Sequence, residues 1–429
     1  MKFETVKSLI LLILVGISLL LTLGLWHDSP RYEKVYDSSY VNEVNVGGDE
    51  KKKRDVIEPS NIILQSNQET YFGFDSKKKE KRFYREMNTW QLSDVSTGPY
   101  EKENKGRYQI KVDFPTGVPV AFIPSLFEYN EEGFLSSWSF KKLYINLNEA
   151  SSIMELKFVS TDEVYELTAD VKNQKQFDEI KEYFTTGKDL KHYKKIEDTK
   201  NAIYLSDEKI KMKQWSLPTD MLEEKGFVDA LFSNPSSVWK NTGEAYYSDG
   251  QRGMRVSQDG LSMEYINPIQ ERDEDLDYAD LLDKVLDKVN DHKGWTGDYN
   301  LFAVDKQSQK AQFKLYYQNY PILNDKGLTT IEQQWRSGEL YSYRRPLFKL
   351  TNPLASESTE MPSGSSIIDF LKEEEDYKIE EIEDIKLGYS LDYSESYNSV
   401  TLIPAWFIYY DKGWIELNID DLKDKEGNE

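Results

Sequence analysis

Ser-x-x-Lys, a spacing that lets a lysine one helical turn away activate a serine for acyl transfer, occurs at Ser76, Ser139 and Ser206. The Lys-Thr-Gly and Ser-Asp-Asn elements that complete such a site are absent, so these matches are read as coincidence in a lysine-rich chain. Asp273, Asp275 and Asp277 are spaced like the first half of a calcium loop. Its sixth position is Tyr278 instead of glycine and its twelfth is Lys284 instead of glutamate, so the sharp turn and the bidentate ligand are both missing. These acids are better suited to starting a helix, where they meet its positive end.

Histidine is limited to His27, His192 and His292, and cysteine is absent, which excludes disulfides, zinc ribbons and a thiol nucleophile. No metal and no cofactor are expected. H-E-x-x-H, G-x-S-x-G, G-x-G-x-x-G and the Walker loop do not occur. With 76 acidic residues some carboxylate pair at a glycosidase separation is always available, so an anchored enzyme acting on cell-wall polymer stands as the alternative reading. The excess of acids over 54 basic residues gives a net charge of −22, and phosphate binding needs a basic face, so nucleic acid is not expected as a partner.

The elements that would position any site begin with an apolar run. Ser8 to Trp26 carries no charge, and as a helix its length of about 28 Å matches the hydrocarbon core of a bilayer. It is longer than the apolar part of a signal peptide, which predicts a retained anchor. Lys2 and Lys7 precede it, so residues 1–7 are expected in the cytoplasm and residues 27–429 outside, on a single-pass protein of the cell membrane. Leu11, Leu14, Val15, Ser18, Thr22 and Leu25 share one face of that helix, and the hydroxyls of Ser18 and Thr22, one turn apart, make this face the candidate contact for another membrane helix.

Beyond a connector over residues 27–60, the pattern alternates between periods of 2 and 3.6. Strands are expected around Asn61 to Gln65, Thr70 to Phe74 and Tyr108 to Phe114, then over Leu143 to Leu147 and Met154 to Phe158. Helices are expected at Glu80 to Val95 and Asn173 to Phe184. Asp249-Gly250 and Asp259-Gly260 mark turns of a three-stranded meander after a helix at Asp220 to Phe232. A helix at Asp277 to Val289, alternating strands through Tyr317 and Leu391, a helix at Ser366 to Glu374 and a closing hairpin from Val400 to Ile419 complete the chain. The class is α+β with antiparallel sheets packed with helices, in exterior domains over 61–200, 201–272 and 273–429. The basic runs Lys51 to Arg54 and Lys77 to Arg82 are expected to be solvated loops, and Glu373 to Asp376 with Glu380-Glu381 an exposed acidic face.

Four segments, FPTGVPVAFIPSLF at 114–127, LFSNPSSV at 231–238, YYSDGQRGMRV at 246–256 and EYINP at 264–268, resemble the YycH family. In the last third, KAQFKLYYQNYPIL at 310–323, PSGSSIIDFL at 362–371, LGYS at 387–390 and IPAWFIYYDKGWIELN at 403–418 are also similar to the related YycI protein. The resemblance spans essentially the whole chain and brings no active-site residue. It implies a regulator, not an enzyme, of the YycFG (WalRK) two-component system. Its membrane helix and exterior domains would then associate with the sensor histidine kinase YycG (WalK) and with YycI, adjusting cell-wall homeostasis; a homodimer stays open.

Overall fold

The computed structural model describes residues 14–18, 44–67, 69–101, 106–129, 137–241, 245–269, 275–323 and 327–419. The chain divides into residues 1–43 and a second unit, 44–429.

Within the first, residues 14–18 are helical, and Leu14 and Val15 are 58% and 51% exposed. Among the described residues no helix is long and apolar enough to cross a membrane. The expected span over 8–26 lies mostly outside the described residues, as do Leu11, Thr22 and Leu25; Leu14, Val15 and Ser18 fall in the helical stretch.

The second unit is built on three sheets. A ten-stranded sheet runs, in spatial order, through strands 203–206, 190–196, 70–74, 61–66, 108–119, 139–148, 153–160, 165–171, 91–99 and 128–129. All its neighbours are antiparallel except the last pair. Ile62, Ile63, Leu64 and Gln65 are buried in succession, because this central strand is covered on both faces, whereas 139–148 alternates as a half-buried strand must. Helices α1 (Lys77–Met87) and α2 (Gln174–Thr186) accompany this sheet, and Phe83 of α1 meets Phe74, Tyr183 and Trp90 at ring separations of 5.1, 5.9 and 6.2 Å. Such tilted and edge-on contacts add to the area these rings bury.

A nine-stranded sheet contains the expected meander, 246–248, 253–256 and 262–266, and continues through 339–346, 330–336, 310–317 and 298–305. Its turns use the residues that the sequence marks: Gly250 and Gly260 have φ of +91° and +71°, and Asp249 Oδ1 accepts from the backbone N–H of Arg252 at 2.7 Å. Helix α3 (Glu224–Leu231) precedes the meander. Helix α4 (Tyr278–Asn290) follows it, burying Leu281, Leu282, Val285, Leu286 and Val289, and is N-capped by Asp277, whose carboxylate accepts from the Asp280 N–H at 2.8 Å. In the six-stranded sheet, 210–221 and 384–394 flank 399–410, with α5 (Gly364–Glu373) capped by Ser363.

Three expectations need correction. The helix expected over Asp220 to Phe232 is Glu224–Leu231, because Asp220 and Met221 end the strand 210–221. The helix expected over Glu80 to Val95 is Lys77–Met87, three residues earlier at its start and eight shorter at its end. Trp90 continues the helical spacing yet lies after the helix, and 91–99 is a strand because it pairs with 165–171. Lys77 to Arg82 is accordingly the first half of a helix and not a solvated loop, and Lys53 and Arg54 likewise open a short helix, Lys53–Val56.

The cleft where three sheets meet

Helix α1 turns its apolar residues Phe83 and Met87 to the core. At positions i, i+3, i+4 and i+7 it sets Lys77, Glu80, Lys81 and Tyr84 along another face. That polar face forms one wall of a cavity of about 570 Å³. The ten-stranded sheet contributes Lys111, Asp113, Lys141, Lys142, Tyr193 and Tyr204; the nine-stranded sheet contributes Tyr316 and Tyr320; the six-stranded sheet contributes Asp384, Lys386 and Trp406. A volume in this range is that of a small-molecule site.

The charges of the cleft are organised as ion pairs. Lys81 reaches Glu58 at 3.0 Å and Asp298 at 2.9 Å, while Lys77 holds Glu80 at 2.7 Å. On the strands, Lys111 with Asp113 at 2.8 Å and Lys386 with Asp384 at 2.7 Å are i, i+2 pairs, which a strand places on one face. Burial pushes the carboxyls of Glu58 and Glu80 above their ordinary range, against the pull of Lys81 and Lys77 respectively. Burial also raises the phenols of Tyr193, Tyr204, Tyr316 and Tyr320, so all four stay protonated at neutral pH.

The sites the sequence suggested are distributed differently. Ser76 and Ser206 line the cleft, but Lys79 is taken by Asp75 at 2.6 Å and Asp189 at 2.7 Å. Ser139 is 3.4 Å from Thr161, and Lys142 pairs with Glu163 at 2.5 Å, so the serine and lysine of those motifs have other partners. Asp277 is the cap of α4, and Asp273 lies outside the described residues. His292 is buried against Arg345 and Lys288, and its pKa is pushed down to about 3 by burial first and by those cations second. Leu14, Val15 and Ser18 belong to the separate unit of residues 1–43. Sequence reasoning did not find the cleft. Its one local signal was the polar stripe at 77, 80, 81 and 84 on a helix whose apolar residues are Phe83 and Met87.

Two family models cover the chain: that of the YycH protein, N-terminal domain, matches residues 4–188, and that of the YycH protein, C-terminal domain, matches residues 200–426. The chain belongs to the YycH family. Its similarity to the Bacillus subtilis (strain 168) protein named two-component system WalR/WalK regulatory protein YycH is 24% identity over 467 residues, covering 100% of this chain and 99% of that one. The crystal structure of YycH from Bacillus subtilis has the same fold, with a TM-score of 0.72 at 20% identity over 88% of this chain and 100% of that chain. The α+β architecture of antiparallel sheets and helices is therefore that of a YycH protein.

Proposed function

We propose that this YycH-family protein is a membrane-anchored regulator that modulates a sensor histidine kinase of the YycG/WalK type. The observation that carries this reading is the end-to-end relation to a protein named as a WalR/WalK regulator, with both family models in register along one chain. In this reading residues 8–26 cross the membrane once, residues 27–429 lie outside, and YycI is a partner in the same assembly. The Ser18 and Thr22 face of the anchor meets a neighbouring membrane helix, and the exterior domains, bounded near residues 200 and 272, supply further contacts.

Control of this kind is a population shift: the regulator must bind one kinase state more tightly than another, and only that difference changes output. The test is membrane co-purification of the full-length chain, and of residues 1–30 alone, with the kinase, together with activity of a kinase-dependent promoter. Association by both and a change in promoter activity are expected. No association by either, with soluble fragments released from purified cell wall by the exterior part, overturns the reading in favour of an enzyme.

A further inference from the structure

Most of the charge around the cleft is internally compensated. Lys77, Lys81, Lys111 and Lys386 hold the carboxylates given above, Lys142 holds Glu163, and Lys191 holds Glu208 at 3.2 Å. Lys141 is different. Among the described residues it makes no ion pair and no hydrogen bond, although it lines the cleft beside Lys386 and Lys142. The nearby acids, Asp384 and Asp113, are each bound to their own lysine. The Lys141 side chain is open to the water of the cleft; the surrounding protein first and the Lys386 charge second act to lower its pKa, while Asp384 and Asp113 act to raise it.

A second set of polar groups is also unpaired. The hydroxyls of Tyr193, Tyr204, Tyr316 and Tyr320 line the cleft and make no hydrogen bond to the protein among the described residues. Water can satisfy a phenol, but it cannot supply the negative charge that Lys141 lacks. A phenol both donates and accepts, so a row of them complements a ligand whose own groups are hydroxyls.

We propose that the cleft binds a small polyol bearing an oxyanion, a sugar or glycerol unit with a phosphate or carboxylate group, whose anion meets Lys141 and whose hydroxyls meet Tyr204, Tyr316 and Tyr320. The site goes beyond kinase regulation and does not depend on it, because binding is measured on the isolated protein.

Titration calorimetry on the full-length chain in detergent, with glycerol 3-phosphate, glucuronate, glycerol and glucose as probes, tests this. One of the two anions is expected to bind a single site, and its uncharged counterpart about tenfold more weakly or not at all. A preference for phosphate or for carboxylate identifies the natural class. Lys141→Gln should weaken the anion by about tenfold or more and Tyr316→Phe by a few-fold, whereas Lys175→Gln, on the exposed face of α2 and outside the cleft lining, should bind as the parent does. Circular dichroism melting of each variant separates lost binding from lost fold, and Lys141→Arg serves if Lys141→Gln does not fold. Absence of heat with all four probes, equal affinity for glycerol and glycerol 3-phosphate, or parent-like binding by Lys141→Gln overturns the proposal.

Discussion

Lys81 Nζ lies 2.9 Å from a carboxylate oxygen of Asp298, a residue 217 positions further along the chain. The same ammonium holds Glu58 at 3.0 Å, so one side chain of α1 ties the entry to the ten-stranded sheet to the first long strand of the nine-stranded one. Lys81 and Glu58 are each only 12% exposed, which makes this a pair whose breaking leaves a buried charge behind.

Replacing Lys81 by methionine should therefore destabilise the fold by roughly 2 kcal/mol at pH 8. The sign of the pH dependence is fixed. Burial already raises the Glu58 pKa, and losing Lys81 raises it further, so the native variant takes up a proton that the unfolded chain does not. The defect should shrink as pH falls from 8 towards 5, as measured by urea unfolding at both values. An equal defect at both pH values would show that Glu58 is not the group left uncompensated.

His292 makes a different prediction. Its folded pKa of about 3 lies well below the ordinary value, because burial disfavours the imidazolium and Arg345 and Lys288 repel it; Nε2 lies 3.2 Å from the Tyr343 hydroxyl. Between about pH 6.5 and pH 3 the unfolded state binds a proton that the native state does not, so stability falls as pH falls through that window. The loss should be on the order of 1 kcal/mol per pH unit, and His292→Gln should remove that slope from the thermal stability profile. A variant that keeps the full slope assigns it to other groups.

Two glycines separate packing from backbone freedom. A Cβ at Gly364, in the first turn of α5, would stand 2.2 Å from the Leu205 Cβ, whereas one at Gly98 meets nothing within 4 Å. Gly364→Ala should cost about 2 kcal/mol through overpacking of the edge strand 203–206, and Gly98→Ala should stay within about 0.5 kcal/mol of the parent in chemical unfolding.

For the membrane contact, Ser18→Leu combined with Thr22→Leu should reduce co-purification with the kinase and move kinase-dependent promoter activity towards that of cells lacking the protein. The change removes both hydroxyls and fills the space that small side chains leave for a second helix. Unchanged co-purification and output would remove that face from the interface.

Local signals account for what the sequence made legible. Helices α2 and α4 fall within a few residues of their periodicity, because an amphipathic face repeats every 3.6 residues whatever it packs against. The meander from 246 to 266 follows from Asp249-Gly250 and Asp259-Gly260, where a left-handed glycine and a capping aspartate are sufficient to turn the chain. The end of α1 was misread because Trp90 keeps the helical spacing; the strand after it exists only through pairing with 165–171.

The cleft shows the other limit. Glu58, Lys81 and Asp298, or Tyr204, Tyr316 and Lys386, have no sequence relation to one another, since the first three arrive on a loop, a helix and a strand, the others on three different sheets, and each is an ordinary surface-type residue in its own segment. The sequence by itself determined the absence of thiol chemistry, the apolar run at residues 8–26, the α+β class and the family segments, all of which reside in composition or in neighbours a few residues apart. Only the tertiary structure decided which lysines have counter-ions and that Lys141 has none among the described residues, because a charge is paired or unpaired according to what the fold brings within about 4 Å of it.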